Sequence, residues 1–190
     1  MAEARIPERT RGPEAATPYN TPAKWFHWVT VALMAVALPV GPLIKFVRDE
    51  DKMAFYALHE SAGLTLLFVA IARLAWRLRH PPPPLPAHVP RPLRFAANGV
   101  HNTLYALLIL QPVLGFLMTN AFGFPMRGET AYLGFIHFPK FMEPVEWLAE
   151  WLKTAHIIGG WTIAALLVAH LGGVVYHQAI RRDDLLLRMV

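Results

Sequence analysis

Long uncharged stretches alternate with short charged ones along this chain, and the spacing is that of membrane crossings. Residues 25–44 form a run of twenty without a formal charge, enough for one helix across an apolar layer of about 30 Å. Thr21 as N-cap and Pro22 in the first helical position predict where that helix starts, and Pro39, Gly41 and Pro42 predict its close. A mixed-charge turn follows at 45–52, with Asp49, Glu50 and Asp51 placed where the positive N-terminal end of the next helix favours acid. The second span, about 53–78, is broken in its interior by Glu60 and Arg73 and ends in the basic cluster Arg73, Arg77 and Arg79. His80 and the prolines Pro81 to Pro84 come next, and four prolines cannot continue a helix, so an extended linker is expected to about Pro92. The third span lies within 95–118, with Pro112 predicted to kink it. A loop at 121–142, rich in aromatics, glycine and proline, leads to Glu143 and Pro144 as the predicted start of the last helix. That helix opens with an amphipathic lead-in at 145–151 and then runs from Thr154 to Ile180 without Lys, Arg, Asp or Glu.

The expected fold class is therefore an all-α integral membrane protein, a four-transmembrane-helix bundle. Its helices are expected at about 22–44, 53–79, 95–119 and 144–180 within a membrane domain at 21–182. Residues 1–20 read as a flexible polar arm without the apolar centre of a cleavable signal peptide, and 183–190 as a tail.

Composition agrees: 55% of the residues are hydrophobic and 16% charged, an apolar excess that belongs with membrane lipid as the main partner. The net charge of +5 would suggest nucleic acid were it not concentrated beside the spans. The arm, the 79–92 linker with its flanks and the tail hold twelve Lys/Arg, against six in the other two loops, which places both termini in the cytoplasm by the positive-inside rule. Trp25 and Trp28 suit an interfacial aromatic belt. There is no cysteine, which excludes disulfides, Fe–S clusters, zinc-thiolate sites and covalent c-type haem. Any haem here is non-covalent, hence b-type.

The candidate chemistry is in the histidines. His156 and His170 lie fourteen residues apart on the last helix, about 21 Å of rise and just short of four turns, so both project from nearly one face. Gly159 and Gly173 follow them at the same offset of three, and Gly63 follows His59 by four. Small residues there would let a flat group lie against the helix backbone, or let two helices pack closely. Histidine inside a bilayer is costly and faces the bundle interior with a partner. Depth then sorts the partners: His27 and His170 toward the cytoplasmic side, His59 and His156 toward the outer side. Each pair offers two axial ligands to one haem iron, giving two non-covalent haem b groups with the last helix serving both. His101 lies level with the inner pair, as a propionate or quinone hydrogen-bond donor or an interhelical one. Arg73, fourteen residues after His59, is placed to pair with an inner propionate or to snorkel to the headgroups. His177 stands near the same level and is placed to approach the inner propionates as well; His80, His88 and His137 fall in loops.

Taken together these pieces resemble the bacterial cytochrome b561 family of four-helix, dihaem inner-membrane proteins. The resemblance spans about 19–189 and rests on the run Trp25, Phe26, His27, Trp28 and on His59-Glu60-Ser61-Ala62-Gly63-Leu64-Thr65. Arg73-Leu74-Ala75-Trp76-Arg77, His101 with Tyr105, Pro112-x-x-Gly115, the His156/His170 pair and Arg182-Asp183-Asp184 with Leu187-Arg188-Met189 complete it. It implies multi-pass residence in the bacterial inner membrane and electron transfer coupled to the quinone pool. In similar members the reaction is superoxide oxidation on the periplasmic side, with ubiquinone as the acceptor. It also implies the haem-ligand roles for His27, His59, His156 and His170 already reached from depth. The chain departs from the family at Tyr176-His177-Gln178, where Lys-His-His is common, which bears on polar contacts near the inner haem. Within the same class the alternative is a quinone-linked cytochrome b subunit of a larger dehydrogenase or hydrogenase, docking through the 121–142 loop. From other classes, a histidine-lined proton or metal transporter and a haem-binding sensor or assembly factor stay open.

Overall fold

The computed structural model describes residues 17–123, 132–139, 141–183 and 185–190; most of the expected N-terminal arm, and much of the 121–142 loop, lie outside them. Four helices carry the chain: α1 (Thr21–Leu43), α2 (Lys52–Arg79), α3 (Arg91–Ala121) and α4 (Glu146–Val175). The shortest has 23 residues, about 34 Å at 1.5 Å per residue, so each exceeds the roughly 30 Å apolar layer of a bilayer. Among the described residues the only β-type pairing is an isolated bridge between Tyr132 and Ile136. α1 packs on α2, α2 on α3 and α3 on α4. The interior is thin: Leu66, Ala70 and Leu108 form one cluster, and Ala121, Ala149 and Leu152 another. Trp25, Trp147, Trp151 and Trp161 are exposed, as are Phe68, Val168 and Leu171, which in a membrane is the lipid-facing surface rather than an unfavourable one.

Several boundaries differ from expectation for local reasons. The N-cap of α1 is Asn20, not Thr21; its Oδ1 accepts from Ala23 N at 3.0 Å and from Trp76 Nε1 at 3.1 Å. α1 runs through Pro39 and Pro42 and ends in a 3-10 turn, Ile44–Phe46. The acids before α2 pair with basic neighbours, Asp49 with Lys52 and both Glu50 and Asp51 with Arg48. α3 begins at Arg91, so Pro92 sits in its first turn, where a missing N–H leaves no helical bond unmade. α4 begins at Glu146, later than expected, because Val145 N donates to Ala121 O at 3.0 Å and holds that residue on the end of α3. Its last turn widens into a π-helix, Tyr176–Arg181.

One end of the bundle gathers residues 17–20, the α2–α3 linker and the chain after α4; we call it the tail end, and the other the loop end. Arg188 is buried there, 3% exposed. Its guanidinium donates to Thr17 O at 3.0 Å, Pro83 O at 2.6 Å and Pro84 O at 3.2 Å, and it lies over the Tyr19 ring. Prolyl segments leave carbonyls without helical donors, and the arginine supplies them. Arg188→Ala should cost about 2–3 kcal/mol, since it removes the hydrogen bonds of a buried charged donor to three backbone carbonyls, and Arg188→Lys should recover only part; thermal unfolding of the purified protein measures both. Asp183 ties the same end together. Burial raises its carboxyl pKa, but hydrogen bonds from His177 and Arg181 more than offset this and hold it below the usual 3.8. A depressed carboxylate contributes its stabilisation at neutral pH and loses it only as pH falls through the lowered value.

Candidate functional site

The five histidines of the spans meet in two groups at two depths. At the loop end, His59 on α2 faces His156 on α4, with ring centroids 6.1 Å apart. At the tail end, His27 on α1 faces His170 on α4 at 6.3 Å. With a metal–nitrogen bond of about 2.0 Å and a ring nitrogen roughly 1.15 Å from its own centroid, two axial imidazoles on one metal hold their centroids about 6.3 Å apart. Both pairs have that spacing. His101 stands 5.2 Å from His170, closer than a shared metal would allow, so it is placed beside the tail-end pair as a neighbour. Among the described residues no group of three or more His, Asp or Glu side chains is placed to hold a bare metal ion. Each pair instead brings two imidazoles to the spacing of two ligands on one metal, which suits a macrocycle that would supply the remaining ligands itself.

The loop-end pair is oriented from behind. His59 Nδ1 lies 2.9 Å from Ala37 O, and His156 Nδ1 lies 3.1 Å from Gln111 O. A carbonyl can only accept, so each Nδ1 carries the hydrogen and each Nε2 keeps its lone pair for a metal. Such second-shell bonds fix the tautomer and the ring plane and raise ligand basicity. Space for the rings is made by glycine. A Cβ at Gly41 would stand 2.9 Å from His59 Cε1, and one at Gly115 would stand 3.1 Å from His156 Cε1. The two halves are built alike, with the acceptor carbonyl four residues before the glycine each time: Ala37 and Gly41 on α1, Gln111 and Gly115 on α3. Gln111 also donates its Nε2 to His156 O at 2.8 Å, pinning α3 to α4 at the ligand.

The order of residues does not show these supports directly. The available signal was a glycine two or three residues after a proline in both helices, at Pro39-x-Gly41-Pro42 and Pro112-x-x-Gly115. The matched glycines of α4, by contrast, part ways. Gly159 is filled by Gln111, whose Oε1 would lie 2.6 Å from a Cβ there, so it serves helix packing; at Gly173 and Gly63 a Cβ would meet nothing within 4 Å beyond the glycine's own stretch of helix, which leaves open space beside the histidines.

The tail-end pair is built differently. Arg73 Nη2 lies 3.1 Å from His27 Nδ1. Arginine has only donors, so His27 accepts at Nδ1; binding a metal through Nε2 requires its proton to move to Nδ1 and Arg73 to turn away. Arg73 and Arg77 both stack on Tyr105, at 5.0 and 5.2 Å from the ring centroid. His177 is engaged elsewhere: its Nδ1 bonds Asp183 Oδ2 at 2.7 Å. His88 and His80 lie in the linker, and His137 lies in the loop after α3.

The residues thus fit axial ligation of a flat macrocycle at two depths along α4. The model of the prokaryotic cytochrome b561 family matches residues 18–190. Cytochrome b561 homolog 2 of Escherichia coli (strain K12) is 29% identical over 180 residues, covering 90% of this chain and 93% of that protein. Probable superoxide oxidase CybB of Yersinia pestis is 25% identical over 167 residues, 86% of this chain and 90% of that protein. Four helices able to cross a membrane, together with a prokaryotic family, make this a bacterial membrane protein. With its match running from the first described helix to the last residue, the chain belongs to the prokaryotic cytochrome b561 family of membrane electron-transfer proteins, whose cofactor is b-type haem.

Proposed function

We propose that the chain holds two haem b groups, the loop-end one between His59 and His156 and the tail-end one between His27 and His170. We propose further that it moves electrons from superoxide on the outer side to ubiquinone. The observation that carries this reading is the pair of facing histidine couples, each at the spacing of two axial ligands, with α4 common to both. When bound, haem supplies one-electron iron chemistry. The chain's share is to fix the ligand rings by Ala37 and Gln111 carbonyls, to hold the two positions about 21 Å apart along α4, and to surround them with apolar side chains. Oxidising two superoxide ions releases two O2 and two electrons, which with two protons convert one quinone to its quinol. The basic flanks of the tail end support its placement in the cytoplasm, and so put the loop-end pair nearer the outer side. Sequence similarity to a protein named a probable superoxide oxidase supports the donor.

The test has two stages. Reduced-minus-oxidised spectra and haem extraction should give two low-spin b haems per chain. Proteoliposomes carrying ubiquinone should then form quinol when superoxide is generated outside, and should not when superoxide dismutase is added. Two haems with no superoxide-dependent quinol would retain the electron-transfer reading and exclude this donor.

A further inference from the structure

We propose that Arg73 makes the tail-end haem position the higher-potential one, so that electrons run downhill from the loop end to the tail end. The inference rests on the two-haem reading above. It follows from how differently the two histidine couples are surrounded. At the loop end, both Nδ1–H groups donate to helix carbonyls, whose oxygens are the negative ends of peptide dipoles. Such bonds increase the electron donation of the ring to the metal and favour the oxidised, more positive iron. At the tail end the partner of the His27 ring is a guanidinium, with Arg73 Nη2 at 3.1 Å from Nδ1. A second, Arg77, lies 5.2 Å from the centroid of the Tyr105 ring that Arg73 also contacts. Among the described residues neither arginine is ion-paired with a carboxylate. Asp183, an acid described at that end, is bonded to His177 and Arg181 instead.

Reduction adds one negative charge at the metal, and a fixed positive charge nearby stabilises the reduced form. Arginine keeps that charge at every accessible pH. When Arg73 releases Nδ1 so that Nε2 can bind iron, its stem on α2 still keeps the guanidinium at the depth of the couple, whether it faces the ring or a propionate. In either position its removal lowers the tail-end potential. Low dielectric around the site makes the effect larger than it would be in water.

The experiment is a redox titration of the visible spectrum on purified holoprotein, with haem content measured on every sample. Wild type should resolve into two one-electron waves. His156→Ala protein, keeping the tail-end haem, should carry the upper wave, and His27→Ala protein, keeping the loop-end haem, the lower. Arg73→Gln should lower the upper wave by a tenfold change in its equilibrium or more, 59 mV for one electron, and leave the lower wave in place. Arg73→Lys, which retains charge without the planar fork, should hold the upper wave within about threefold of wild type. Two haems in Arg73→Gln with both waves unmoved would overturn the inference, as would the upper wave appearing in His27→Ala protein. If Arg73→Gln loses the tail-end haem, the order of potentials in the two single-haem proteins decides alone. A wild-type protein with fewer than two haems would instead remove the reading on which the inference stands.

Discussion

His59→Ala should cut the haem content of the purified protein from two per chain to one, and His156→Ala should remove the same haem. His27→Ala and His170→Ala should each remove the other. The expected loss is complete rather than partial, because a non-covalent haem held by two axial bonds keeps only packing on the truncated side. The two loop-end substitutions are also clean. Ala37 O and Gln111 O are helix carbonyls with their own backbone donors, so losing an imidazole leaves no buried orphan. Pyridine haemochrome assay gives the stoichiometry, and the residual spectrum shows which haem remains. His101→Ala decides the one point where depth alone was ambiguous. At 5.2 Å from His170, His101 is nearer than His27 at 6.3 Å, yet too near for a metal to sit between the rings. It should therefore leave two haems in place. Loss of a haem in His101→Ala, with none lost in His27→Ala, would reassign the tail-end couple to His101 and His170.

Gly41→Val should remove or strongly perturb the same haem as His59→Ala, although Gly41 is not a ligand. A Cβ at that position already stands 2.9 Å from His59 Cε1, inside contact distance before the valine methyls are counted. The ring cannot retreat without breaking its bond to Ala37 O, on the same helix one turn away. Overpacking of this kind costs about 1–3 kcal/mol where the structure can shift. Here the shift falls on the ligand, so the readout is the haem band before it is the melting temperature. Gly115→Val should act in the same way through His156. Gly63→Ala is the control, since a Cβ there meets nothing within 4 Å beyond its own stretch of helix. It should fold with both histidine couples intact. A normal loop-end haem in Gly41→Val protein would show that the glycine is not what seats the ring.

The spans were legible because their cause is local. A helix-length run without charge has few stable destinations other than a bilayer, and residues 25–44 and 154–180 are such runs. The membrane histidines stood out for the same reason, as ionisable groups where burial is expensive. Chain direction, converted to depth, then matched His59 with His156. Depth does not give azimuth, however. His27 and His101 share a level with His170, and nothing in the order of residues says which faces the gap between helices and which stands beside it. The α4 glycines show the same limit. Gly159 and Gly173 have identical spacing from a histidine, yet one is packed against Gln111 and the other faces open space. Position around the bundle, not position along the helix, distinguishes them.

By itself the sequence determined that this is a four-span membrane protein without thiol chemistry. It also determined that the histidines of its last helix sit at two depths, each level with a histidine on another helix. Only the tertiary structure decided that Ala37 and Gln111 carbonyls turn the loop-end rings toward a metal, that Gly41 and Gly115 make room for them, and that Arg73 faces His27. It also decided that Arg188, near the end of the chain, holds the prolyl linker to the tail end. Each of these joins residues 18 or more positions apart through the relative rotation of packed helices or the path of a folded-back segment. That rotation is set by how whole side-chain surfaces interlock, and no local pattern of residues encodes it.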